Sequence, residues 1–181
     1  MTIKLEQLPA TLQRGVGRSY LISGDETLLV EEGADAVCGA ARQAGCSERE
    51  IIEISSQGDW QQLLQSAGAM SLFAERKLLE IRLPTGKPGT EGSKALQEYL
   101  SSGGEDVLLI IAGKIDRQSQ RAKWFTRLDQ EGVVVTVWPV SRRELPSFLT
   151  QRLKAAGLTI DRDAVQLLAD RVEGNLLAAA Q

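Results

Sequence analysis

The chain has 181 residues, of which 43% are hydrophobic and 25% charged, and its net charge is −3. That length holds one sizeable domain and a small second one, and a slightly negative chain sets up no global basic field for nucleic acid or an anionic membrane. The complete lack of histidine excludes a Ser-His-Asp or Cys-His triad, an imidazole base and His-bound zinc, and no carboxylate pair stands in a recognisable catalytic motif.

The first residues, MTIKLEQLPATLQRG, have no apolar run of signal-peptide length. No later stretch reaches the roughly 20 apolar residues of a membrane span, so a cytoplasmic location without membrane contact is expected. Residues 5–13 read as a short helix interrupted by Pro9. Tyr20-Leu21-Ile22 is a short strand running into Ser23-Gly24-Asp25-Glu26, where Ser23 and Glu26 fit a capping box and the acids favour the positive end of the next helix. That helix carries Leu29, Gly33, Val37, Ala40 and Ala44 on one face and stops at Gly45. Cys38 falls inside it and reads as a helix-buried thiol; with Cys46 it makes no metal-ligand pattern. Ile51 to Ile54 form a second strand, and Asp59 caps a helix with the stripe Trp60, Leu63, Leu64 and Ala67, closed by Gly68.

Residues 78–83 form a third strand with Leu79, Ile81 and Leu83 on one face and Glu80 and Arg82 on the other. GKPGTEGSK, residues 86–94, reads as a flexible surface loop and residues 95–100 as a helix. VLLIIA, residues 107–112, has the unbroken apolar character of a central parallel strand covered on both faces. Residues 118–129 read as one helix anchored by Trp124, Phe125 and Leu128, and VVVTVW, residues 133–138, as the fifth strand before Pro139. Five strands and four intervening helices predict an α/β fold with a parallel sheet flanked by helices. Beyond residue 140 only helices follow: Pro146 opens one carrying Phe148, Leu149, Leu153 and Ala156, Asp161 caps one with Ala164, Val165, Leu168 and Val172 inward, and Asn175 caps the last. The expected division is residues 1–140 as the α/β domain and 141–181 as a small helical domain. The final LLAAAQ is an apolar turn and a half with no C-cap and no basic last turn, which suggests a truncated helix.

An α/β domain followed by helices is the layout of a P-loop ATPase, whose G-x-x-x-x-G-K-[ST] turn wraps phosphates with amides, neutralises them with Lys and holds magnesium on the hydroxyl. The turn here, SGDETLL, has one glycine, no lysine and two carboxylates that repel phosphate. It is expected to be an ordinary strand-to-helix turn, with no nucleotide cofactor and no metal. GKPGTEGSK lacks the motif's spacing and order, and AGKID, residues 112–116, lacks the upstream glycine and the Ser/Thr; the latter reads as a loop tied down by Lys114. Lys114, Arg117, Arg121, Lys123 and Arg127 form a basic cluster with Trp124 and Phe125 interleaved. Such a cluster can touch a nucleic-acid backbone, although the aromatics fit a sheet-facing stripe and the charges a solvated face.

AMSLFAERKLLEI, residues 69–81, holds the most unusual apolar residues. Leu72 and Phe73 obey neither the helix period before them nor the strand period after them, and charge follows at Glu75-Arg76-Lys77. Exposed apolar residues on a connection mark a contact site; the alternative is a one-turn helix folded back into the core.

YLISGDETLLVEE, AMSLFAERK, DVLLIIAGK, AKWF and EGNLLAAAQ, taken together, resemble in register the delta subunit family of the bacterial clamp loader, within DNA polymerase III holoenzyme. The resemblance implies a RecA-like domain of the AAA+ class followed by a small helical domain, and no functional nucleotide site, hence no intrinsic ATPase. It implies binding to the sliding clamp (the beta subunit) through a hydrophobic plug matching Met70, Ser71, Leu72 and Phe73, and opening of one ring interface by favouring an open-competent conformation. It further implies, for the full-length protein, assembly with the delta prime and tau/gamma subunits, whose ATP would control access to the plug, and a third helical domain that this chain lacks. The competing readings are an NTPase of the same fold and a nucleic-acid-binding module built on the basic helix.

Overall fold

The computed structural model describes residues 1–56, 58–68, 76–102, 104–172 and 175–180. The chain forms two compact units, one of Met1–Asp25 with Leu29–Val137 and one of Glu26–Leu28 with Trp138–Gln181.

The first unit is an α/β layer structure around a parallel sheet. Its strands are β1 (Thr2–Ile3), β2 (Ser19–Gly24), β3 (Cys46–Glu53), β4 (Arg76–Leu83), β5 (Val107–Ala112) and β6 (Val133–Val137), in the spatial order β1-β6-β2-β5-β4-β3. The expected five strands are therefore six. β1 is only two residues long, too short to show a period, and is held by pairing Thr2 and Ile3 with Val134 and Val135. β3 is also longer than the apolar Ile51 to Ile54. Its first half, Cys46 to Glu50, is mostly charged and exposed, as suits the outermost strand of the sheet, where charge discourages pairing with other chains.

Helices cover both faces. α2 (Thr27–Gln43) lies on one, where Gly33 approaches Ile22 and Cys38 approaches Glu80. On the other, α3 (Asp59–Gly68), α4 (Gly89–Ser101) and α6 (Lys123–Glu131) bury Trp60, Leu63, Leu96, Tyr99, Trp124 and Leu128 against Leu79, Ile81, Leu83, Leu108 and Ile110. Leu79, Ile81 and Leu83 share that face as their alternation predicts. Each Leu or Ile removed from water contributes about 1.5–3 kcal/mol, and β5, buried at all six positions, carries the densest share. A short helix, α1 (Leu8–Gln13), precedes β2 and buries Leu8.

Four local expectations change. Ser23 is not a helix cap: it is still in β2, opposite Ala112 and Thr136, and α2 begins at Thr27. On α2 it is Leu29, Val30, Gly33, Ala34, Val37, Cys38 and Ala41 that are buried, so Ala40 and Ala44 leave the stripe. Most of the expected surface loop at 86–94 is the start of α4, because Gly92, which reads as a breaker, is where Trp60 packs so closely that a Cβ would overlap the indole ring. The helix expected over 118–129 is two, α5 (Arg117–Gln120) and α6, parted at Arg121 and Ala122, with the Asp116 carboxylate accepting from the Ser119 amide at the start of α5 (2.7 Å).

The second unit contains α7 (Leu145–Ala155), α8 (Arg162–Val172) and α9 (Leu176–Ala180). Pro146 sits in the first turn of α7, which closes with Gly157 at φ +76° and a Leu158 amide bonded back to the Leu153 carbonyl (2.9 Å), the geometry of a Schellman end. The Asp161 and Asn175 side chains accept from the Ala164 and Ala178 amides, as expected of caps. Leu145, Leu149, Val165, Ala169 and Leu176 are buried, whereas Ala156 is exposed and Phe148 lies under Arg152 with its guanidinium carbon 5.5 Å from the ring centroid.

Candidate functional site

In an open parallel α/β sheet, ligands bind beyond the carboxyl ends of the central strands, so the turn after β2 is the first place to look. Gly24 is there because β6 passes so close that a Cβ would overlap the Val137 carbonyl; packing against a neighbouring strand accounts for it without a phosphate. The Asp25 carboxylate pairs with Lys114 at 3.3 Å, just past the end of β5. The nearby cation is thus engaged by an anion of the chain itself, and AGKID is tied down through Lys114 as the sequence suggested. Burial raises the Glu26 carboxyl above its ordinary value, opposed by a bond from the Leu28 amide. Among the described residues no group of His, Cys, Asp and Glu could hold a metal ion.

Met70, Ser71, Leu72 and Phe73 lie outside the described residues. The elements on either side of them are defined. Asp59, expected as the cap of α3, is its first residue, and its carboxylate reaches back to accept from the Ser55 and Ser56 amides at 2.8 and 2.7 Å. Those bonds hold the carboxyl below its usual range. At the far end of α3, the Ser66 carbonyl accepts a hydrogen bond from the Lys77 ammonium group, and the Ser66 hydroxyl donates to Glu50 of β3. Glu50 lies 3.9 Å from the same ammonium group. Lys77 is only 5% exposed. Its own amide donates to the Asp106 carboxylate at 2.9 Å, and Arg76 donates to the Glu105 carbonyl at 2.9 Å. The sequence shows Lys77 as flanking charge, yet it is in phase with Leu79, Ile81 and Leu83, and that phase was the available signal for its burial.

Glu80 is a second buried charge the sequence did not single out. It is fully buried and accepts from Arg49 (2.9 and 2.5 Å) and from Arg82 (2.9 Å), while Arg82 also pairs with Glu31 of α2 at 3.3 Å. Cys38 is 3.8 Å from the same carboxylate. Burial, opposed by Arg49 and reinforced by Glu80, raises the pKa of Cys38, which keeps it a thiol. A doubly covered sheet leaves no solvent face for a polar residue on an inner strand, so Glu80 had to be buried and paired.

The five-residue basic cluster does not act as one surface. Arg127 is bound at the end of α4, to the Ser101 hydroxyl (2.6 Å) and the Gln97 carbonyl (3.2 Å), and to Glu131 (2.9 Å). Lys114 is paired with Asp25. Arg117, Arg121 and Lys123 are exposed, while Trp124 is buried and the partly buried Phe125 forms an edge-to-face pair with it at 5.7 Å, as the sheet-facing reading of the two aromatics expects.

The family model for the DNA polymerase III delta subunit matches residues 20–137. The chain belongs to that family. It is 36% identical over 177 residues to the DNA polymerase III subunit delta of Escherichia coli and 34% identical over 180 residues to that of Haemophilus influenzae, in each case covering 97% of this chain and 52% of the relative. The chain therefore spans about half the length of these delta subunits. Among solved structures it is similar to the Bacillus subtilis DNA clamp loader delta protein, with a TM-score of 0.67 and 22% identity over 97% of this chain and 54% of that one. The fold is also similar, more loosely, to that of the Thermotoga maritima RuvB Holliday junction branch migration motor, with a TM-score of 0.53 and 14% identity over 93% of this chain and 57% of that one.

Proposed function

We propose that this chain binds the DNA sliding clamp through Met70, Ser71, Leu72 and Phe73 and favours the opening of one ring interface, without hydrolysing nucleotide itself. The observation that carries the reading is the match of the delta-subunit family across residues 20–137, which includes the one connection whose large apolar residues fit neither flanking period. In the chain that connection follows α3 and precedes β4, the strand that pairs with the outermost strand β3. On this reading residues 141–181 are the small helical domain that follows the RecA-like domain, and in the full-length protein the delta prime and tau/gamma subunits are its neighbours, with ATP bound there and not here. The turn after β2 supports that division of labour, since Asp25 occupies the nearby lysine and no P-loop lysine exists.

Ring opening needs no chemistry on this chain. A ligand shifts an equilibrium by its differential affinity for the two states, and one that prefers an open-competent interface by about 2.8 kcal/mol raises that state's share about a hundredfold. Calorimetric titration of the cognate clamp without nucleotide is the test. Saturable binding is expected, unchanged by magnesium-ATP; no binding, or binding only with ATP, overturns the proposal.

A further inference from the structure

We infer that Arg117, Arg121 and Lys123, at the junction of α5 and α6, form a contact surface for the phosphate backbone of duplex nucleic acid, read by charge without base preference. This contact is additional to the proposed clamp contact and does not depend on it.

Residues 117–128 hold four cations, Arg117, Arg121, Lys123 and Arg127, and no acid, in a chain whose net charge is −3. No other twelve consecutive residues carry so large an excess of positive charge. The fold neutralises only one of the four, Arg127, which bonds to Glu131 and to the end of α4. The flanking acids are engaged elsewhere. Asp116 accepts from the Ser119 amide and pairs with Lys87 at 3.2 Å, and Asp129 accepts from the Thr2 hydroxyl at 2.7 Å. Arg117, Arg121 and Lys123 are exposed and, among the described residues, enter no ion pair.

The backbone that carries them is ordered. Arg117 opens α5, and Arg121 follows its last residue with a helical backbone (φ −88°, ψ −8°), so the two stand four residues apart on one side of the turn. Lys123 opens α6 two residues later. The Arg121 and Ala122 amides donate to the Gln118 and Ser119 carbonyls, each at 3.1 Å, and Trp124 anchors the start of α6 in the core. Binding therefore has only side chains to order, which limits its entropic cost.

The chemistry of the surface selects the partner. A protein interface is centred on apolar or aromatic anchors, and among the described residues none of the exposed large apolar side chains lies between 117 and 131. Phosphates need only cations and hydrogen-bond donors, and the exposed Gln118 adds an amide donor between the two arginines. A duplex presents one charge about every 1.7 Å along its axis, the densest line of charge that three closely spaced cations could meet.

The test is fluorescence anisotropy of an end-labelled DNA duplex of about 30 base pairs, and of a single strand of equal length, from about 50 to 200 mM salt. Two triple variants are compared with the unmodified chain. Arg117→Gln, Arg121→Gln, Lys123→Gln removes the surface; Arg142→Gln, Lys154→Gln, Arg162→Gln removes the same charge from exposed positions of the second unit. Both should keep the denaturation midpoint. The unmodified chain should bind the duplex saturably, more tightly than the single strand, and more weakly as salt rises. The first variant should bind at least about tenfold more weakly at the lowest salt, with a slope of log affinity against log salt shallower by about 2.7, three contacts at about 0.9 each. The second should stay close to the unmodified chain. Absence of saturable duplex binding at the lowest salt overturns the inference, as does an equal loss in both variants, which marks net charge alone. Equal or tighter binding of the single strand overturns the duplex assignment. A tighter hold on polyglutamate than on the duplex through the same three residues identifies an acidic protein as the partner, and overturns it too.

Discussion

The carboxyl end of β2 and the β3–α3–β4 edge of the same sheet make opposite use of charge. At β2 the charges lie at the surface and the packing is backbone on backbone: a Cβ at Gly24 would overlap the Val137 carbonyl of β6, and Asp25 pairs with Lys114 where both are exposed. At the edge, two buried charges are each held by several partners, Glu80 by Arg49 and Arg82, and Lys77 by Ser66 and Glu50. Polar groups taken out of water and fully satisfied make geometry specific at little net gain in stability. The difference teaches that apolar burial alone builds the centre of the sheet, whereas β4 is also held to α3 and β3 by paired buried charges.

That contrast can be broken in order of expected effect. Truncating the centre should cost most: Ile110→Ala in β5, where Ile110 is fully buried, should lower stability by about 2–5 kcal/mol through loss of buried surface and the cavity left behind, while the folded fraction keeps its clamp affinity. Denaturant titration with a binding assay checks both. Glu80→Gln should cost about 1–3 kcal/mol, since two arginines lose their charged acceptor. The loss stays at that level because the Arg49 and Arg82 side chains are 39% and 34% exposed and can turn to water.

How much of this was legible depended on which force shaped each element. β2, β5 and β6 are apolar runs stabilised by burial, and burial writes itself into sequence. β1 and the first half of β3 exist through pairing with a neighbour, Thr2 with Val134 and Glu50 with Leu79, and pairing leaves no hydrophobic period. The start of α4 was hidden because Gly92 reads as a breaker until Trp60 is seen to require it. For the proposed contact, Leu72 and Phe73 stood out because they break both periods, whereas the pairing of Ser66 with Glu50 gave no signal, since each is an ordinary polar residue until α3 and β3 meet.

Two smaller effects sharpen the contrast. Asp59 has its carboxyl pKa lowered below 3.8 by the Ser56 and Ser55 amides. A lowered pKa in the folded state contributes stability above the unfolded value and loses it as pH falls through the folded one. Asp59→Asn should therefore be less stable at neutral pH, and the gap to the unmodified protein should close in titrations carried below about pH 4, the unfolded value. Magnesium-ATP should have no effect at all: neither the unmodified protein nor Asp25→Ala, which releases Lys114, should show a thermal shift, because freeing one exposed lysine does not build the amide cradle a phosphate needs. A saturable shift with either would reopen the centre of the sheet as a site.

The account stands most directly on the double substitution Leu72→Ala, Phe73→Ala, measured for clamp dissociation constant and denaturation midpoint on the same sample. If these side chains are the contact, their loss should cost roughly 2–5 kcal/mol of binding, which is more than tenfold in affinity, with the midpoint almost unmoved because no cavity is created. If instead they belong to the core, stability should fall by about 2–5 kcal/mol for each truncation while the folded protein binds the clamp as before, and that result would contradict the central claim.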